Sequence, residues 1–95
     1  MKRNGRQQKI ETIRRVLLKS GIRKAYLFGS FARKERSYKD IDIAIDPPEH
    51  FSLMDMAGVL VELEDGLGLA VDLVTVRSIN PRMMEYVQKD MTPIV

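Results

Sequence analysis

The sequence predicts an α/β (α+β) domain, one small β-sheet covered by helices in the order α-β-α-β-α-β-α. Segments whose apolar residues recur at helical spacing alternate with short apolar or strictly alternating segments, the pattern of strands joined through helices. Ninety-five residues allow a single core, so a single domain is expected over residues 1–95, with 1–6 a flexible basic start. A content of 44% hydrophobic and 31% charged residues is that of a globular chain and argues against disorder or low complexity.

From residue 7 to residue 20, Ile10, Ile13, Val16 and Leu17 recur at helical spacing, and Ser20-Gly21 supplies the stop. Ala25-Tyr26-Leu27-Phe28 is a short apolar run that reads as a strand, ended by Gly29-Ser30 and followed by a short helix over 31–36. In residues 40–46 aspartate and isoleucine alternate at period two, the signature of a strand, which Pro47-Pro48 stops. Ser52 caps a helix whose core stripe is expected to be Leu53, Met56, Ala57, Leu60, Leu63 and Leu67, with Met54, Val59 and Val61 outside it and Gly66 and Gly68 at its end. Residues 70–76, AVDLVTV, read as a third strand interrupted by Asp72. Asn80-Pro81 starts a last helix carrying Met83, Met84, Val87 and Met91, which Pro93 ends.

Composition excludes several chemistries. Without cysteine there is no disulfide framework, thiolate zinc site or cysteine nucleophile, and the single His50 rules out a multi-histidine metal site. Carboxylates and hydroxyls must carry any reaction. No apolar run approaches a membrane span and the start MKRNGRQQK lacks the hydrophobic region of a secretory signal, so a cytoplasmic protein is expected, with no membrane partner. The net charge of +3 hides an asymmetry: residues 1–39 carry thirteen Lys and Arg against Glu11 and Glu35, whereas residues 40–95 carry three against eleven acids. The basic half could attract phosphate or neutralise the acidic half across the surface. The six aromatic residues are scattered, so nucleic acid binding is not signalled.

Asp40 and Asp42 lie on one face of a strand with Cα atoms roughly 6–7 Å apart. Their repulsion becomes shared attraction if a divalent cation such as Mg²⁺ lies between them, although solvent faces of strands also carry such pairs. Asp46 shares the face and reads as a solvated acid at the strand end. Asp72 is either an edge-strand acid facing water or a third carboxylate that converges on the pair, a constellation suited to two-metal phosphoryl or nucleotidyl transfer. Gly29-Ser30, between strand and helix, suits a phosphate held by backbone N–H groups, and the serine hydroxyl would either bond that phosphate or cap the helix. A side chain at Gly29 is expected to obstruct the ligand far more than the fold. Arg33 fits either a helix-face ion pair or a phosphate ligand. No Gly-Lys-Ser/Thr follows the turn and Gly66-Leu-Gly68 lacks a third glycine, so P-loop and dinucleotide fingerprints are absent.

Together, LFGSFAR at 27–33, DID at 40–42 and VDLVT at 71–75 resemble the nucleotidyltransferases related to DNA polymerase β, and most closely the minimal nucleotidyltransferase (MNT) antitoxins of HEPN-domain toxins. The resemblance spans about residues 10–95. It implies a small mixed sheet with flanking helices, a nucleotide triphosphate on Gly29 and Ser30, and metal-binding carboxylates at Asp40 and Asp42. Asp72 matches the third carboxylate, which helps deprotonate the acceptor. Lys34 stands where the family commonly has glycine, Lys39 where it commonly has serine, and the interval from Ser30 to Asp40 is one residue shorter than usual. The resemblance further implies Mg²⁺-dependent transfer of AMP from ATP to a tyrosine of a HEPN partner. The alternatives are an antitoxin that acts by binding alone and a nucleotidyltransferase acting on RNA or a small molecule. One core of 95 residues has little wall for base and acceptor, so a second chain is expected against the apolar excess of at least one of the third and last helices.

Overall fold

The computed structural model describes residues 5–95. The chain runs through α1 (Gly5–Lys19), β1 (Lys24–Phe28), α2 (Gly29–Ala32), β2 (Asp40–Asp46), α3 (Leu53–Leu67), β3 (Ala70–Thr75), a 3₁₀ turn at Val76–Ser78, α4 (Pro81–Asp90) and β4 (Thr92–Pro93). The expectation for residues 1–6 falls mainly on residues 1–4, outside the described residues; Gly5 and Arg6 belong to α1.

The four strands form one mixed sheet of order β3-β2-β1-β4. β1 and β2 are antiparallel, whereas β2 and β3 are parallel, because α3 carries the chain back across the sheet between them. The period-two pattern of β2 divides the sheet's two faces. Ile41, Ile43 and Ile45 are fully buried and pack with Ala25, Leu27 and Val71 against Ile13, Val16 and Leu17 of α1 and Val59 and Leu63 of α3. Asp40, Asp42 and Ala44 therefore point to the opposite face, which α4 covers in part. α1 and α3 come close where Gly66 meets Thr12; a Cβ at Gly66 would lie 3.0 Å from the threonine Cγ2.

The helix ends follow from local chemistry. The Ser52 hydroxyl accepts from the Asp55 N–H while the Asp55 carboxylate accepts from the Ser52 N–H, a complete capping box, and Gly68 closes α3 in the left-handed region at φ +67°. Asn80 Oδ1 accepts from the Met83 N–H at 2.9 Å, with Pro81 in the first turn of α4.

The structure departs from the sequence reading in three places. The second helix is one turn over Gly29–Ala32, not 31–36. Pro93 does not end the last helix, which stops at Asp90; it pairs in β4 with Tyr26, on the sheet edge where a missing N–H costs least. In α3, Val59 is core at 4% exposure whereas Leu53 is 86% exposed, because the buried stripe is centred on Val59 and Leu63 and leaves the first turn uncovered. The third and last helices lie on opposite sides of the sheet, α3 on the isoleucine face and α4 on the aspartate face.

Among the described residues no helix is long and apolar enough to cross a membrane.

Candidate active site

Strand register brings the carboxylates together. Phe28 of β1, Asp42 of β2 and Asp72 of β3 are direct neighbours across three strands, so the two acids sit side by side on one face, with Asp40 one pleat along from Asp42. Asp72 lies on the edge strand and is exposed, while Asp40 and Asp42 are half-buried. The carboxyl of Asp42 is pushed up from 3.8 to about 6, first by burial, then by the charges of Asp40 and Asp72 and by a hydrogen bond with Asp72; Arg33 opposes the shift. That electrostatic cost is the form expected of acids that share a cation. Among the described residues no three His, Cys, Asp or Glu side chains are already drawn up as a ready metal-ligand group. The all-carboxylate donor set nevertheless fits a hard divalent cation, which prefers oxygen and removes the repulsion.

Gly29 is wedged against this cluster. It sits at φ +74°, and a Cβ added there would fall 2.1 Å from Asp42 Oδ2. The expectation that a side chain here would trouble only a ligand is therefore corrected: it would strain the backbone and collide with Asp42 as well. The turn is held from below by Phe31, which is 2% exposed, meets Tyr38 edge to face at 5.0 Å between ring centroids, and lies under the Arg6 guanidinium at 4.7 Å. Arg6 also donates to the Phe31 carbonyl. Ser30 is not the helix cap, because that position belongs to Phe28, so capping does not occupy its hydroxyl.

Arg33 is held between two acids. Its Nε donates to Glu35 and its Nη1 to Asp90, both at 2.6 Å, which ties the end of α2 to the end of α4 and raises the guanidinium pKa. The ion-pair reading thus describes the observed contacts, and a phosphate would have to compete with Asp90 for this side chain. Lys34 follows in the left-handed conformation at φ +63°, the reason glycine suits its position. Asp46 and His50 are exposed and lie beyond the cluster.

Sequence reasoning missed the cleft beside Asp72. Phe28, Val74, Ile79, Met83 and Val87 line about 220 Å³ between the sheet and α4. Period two already placed Phe28, Asp42, Asp72 and Val74 on one face once the register was known, but nothing in the sequence reported that α4 folds over it.

The model of the polymerase β nucleotidyltransferase family matches residues 11–95. The chain belongs to that family. Its relatives include Putative protein adenylyltransferase MJ0435 of Methanocaldococcus jannaschii, 37% identical over 81 residues, with 84% of this chain and 87% of the relative covered. A second protein of that name and organism, MJ1217, is 39% identical over 72 residues, covering 74% of each chain. Among solved structures, one described as a putative minimal nucleotidyltransferase superposes with a TM-score of 0.79 at 31% identity over 92% of this chain and 90% of the other. A chain from a tri-AMPylated Shewanella oneidensis HEPN toxin in complex with MNT antitoxin gives 0.73 at 25% identity over 95% of this chain and 71% of the other. The nucleotidyltransferase domain, the enzyme class and the resemblance to MNT proteins read from LFGSFAR, DID and VDLVT are therefore borne out, as is the mixed-sheet fold.

Proposed function

We propose that this nucleotidyltransferase transfers AMP from ATP to a tyrosine hydroxyl of a HEPN-type toxin and so acts as its antitoxin. The observation that carries this reading is the row Phe28–Asp42–Asp72 with the Gly29 main chain against Asp42, which brings the Gly29-Ser30 turn and the carboxylates together. Asp40, Asp42 and Asp72 would hold Mg²⁺, which when bound would neutralise charge that develops on the phosphate oxygens. Gly29 and Ser30 seat the phosphates through main-chain N–H groups and the serine hydroxyl, with Arg33 alongside. Asp72, exposed on the edge strand, takes the proton of the acceptor hydroxyl. The hydroxyl oxygen bonds to the α-phosphorus and the bond to pyrophosphate breaks. The apolar cleft beside Asp72 suits an aromatic acceptor. The relatives named as protein adenylyltransferases support a protein acceptor, and the MNT–HEPN complex supports the kind of partner.

The test is incubation with labelled ATP, Mg²⁺ and the HEPN-type partner. Label should appear on the partner with wild type and not with Asp42→Asn. Neutralisation of the toxin without label would favour an antitoxin that acts by binding alone.

A further inference from the structure

Arg33 is built into the Gly29-Ser30 turn. Its N–H donates to the Gly29 carbonyl and the Glu35 N–H donates to the Ser30 carbonyl, both at 3.1 Å, so the backbone that meets Asp42 also carries the guanidinium and the Glu35 carboxylate. Asp90 comes from elsewhere, 57 positions along the chain. It is the last residue of α4, at i+3 from Val87 and i+7 from Met83, on the helix face that turns those two into the cleft beside Asp72.

Nothing in α4 itself favours an acid there. The C-terminal end of a helix is the negative pole of its dipole, which Lys89 in the same last turn suits and Asp90 opposes. The charge of Asp90 is offset across the sheet face instead, by Arg33 at 2.6 Å. Glu35 holds the Arg33 Nε at the same distance. Two carboxylates on one guanidinium make this group negative as a whole, beside a turn read as the seat of a triphosphate.

The two bonds differ in what their release disturbs. Glu35 is two residues from Arg33 and moves with the turn, whereas Asp90 belongs to another element. Phosphate oxygens meet a guanidinium in the same forked geometry as a carboxylate and with more charge, so the bond to Asp90 is the one that a phosphate replaces. We propose that Asp90 is a positioning residue that sets nucleotide affinity through Arg33: it holds the guanidinium and ties it to the end of α4 until the triphosphate takes the guanidinium from it. Nucleotide binding then lifts the tie between the turn and the helix that walls the cleft.

The inference rests on the proposed function in taking ATP as the occupant of the Gly29-Ser30 turn. Calorimetric titration of Mg²⁺-ATP into wild type, Asp90→Asn, Arg33→Gln and the double variant tests it, with thermal melts of each. Asp90→Asn should bind ATP about threefold more tightly, the scale of a partly exposed ion pair. Arg33→Gln should bind it about threefold or more weakly, and Asp90→Asn should add nothing in that background. A residue that serves the fold alone would move Tm and leave ATP affinity where it was. Affinity that is unchanged or weaker in Asp90→Asn therefore overturns the proposal, as does a gain that persists without Arg33, which would reduce the effect to plain repulsion between Asp90 and phosphate. Equal ATP affinity in wild type and Arg33→Gln also overturns it and leaves the nucleotide turn standing; a wild type that binds no ATP overturns both readings.

Discussion

At neutral pH and without a divalent cation, Asp42 carries a charge that its surroundings resist. Its carboxyl titrates near 6 in the folded chain against 3.8 when free, so between those values the folded chain keeps a proton that the unfolded chain has lost. Stability from this group is therefore fully present below about 3.8 and is lost as pH rises through about 6. Asp42→Asn should match wild type near pH 4 and exceed it at pH 7 by on the order of 1 kcal/mol after solvent screening, in thermal melts without metal. Mg²⁺ should stabilise wild type and not the variant. A variant that loses several kcal/mol at pH 7 would show Asp42 to be structural. At Gly29, alanine should cost roughly 2–3 kcal/mol, and the same change in an Asp42→Ala background only about 1, the collision having been removed. Lys34→Gly should stabilise by about 0.5–1 kcal/mol in denaturant unfolding, because Lys34 holds a left-handed conformation. The exceptional conformation of Gly29 was legible as a glycine at a strand end; its collision partner was not, because Asp42 is thirteen positions away in sequence.

Helix α3 separates what periodicity can and cannot read. Its Ser52 cap and its closing Gly68 were visible in the sequence, since each depends on residues within one turn of the end. Its inward face was not, because a helix apolar on two sides offers two stripes of nearly equal weight and only the packed sheet chooses between them. Leu63→Ala should cost about 3 kcal/mol and Val59→Glu should unfold the chain, whereas Met54→Glu should change stability by less than about 0.5 kcal/mol. Chemical denaturation of the three variants decides the matter. Equal losses at Met54 and Leu63 would mean that the helix is rotated from the orientation described. Double substitution of Val59 and Met54 is therefore no probe of an interface, since one is core and the other surface.

Across the molecule, the two faces of the sheet divide the work between stability and chemistry. Isoleucines on odd positions of β2 hold the core while Asp40 and Asp42 lie on the opposite face, where Asp72 joins them exposed on the edge strand, so Asp72→Asn should abolish AMP transfer while leaving Tm within about a degree. A large fall in Tm would mean that the exposed edge carboxylate is part of the fold's support. The alternation of elements, the Asp-Ile-Asp strand and the Gly-Ser turn were determined by the sequence alone, because each is a local pattern of period, turn chemistry or capping. Strand order and register were not, because they depend on contacts between residues far apart in the chain. Only the tertiary structure set Asp72 beside Asp42, put α4 over the cleft, tied Arg33 to Asp90 and sent α3 to the other face. Local sequence specifies which way a side chain points from its own strand; what it meets there is decided by the strand that packs alongside.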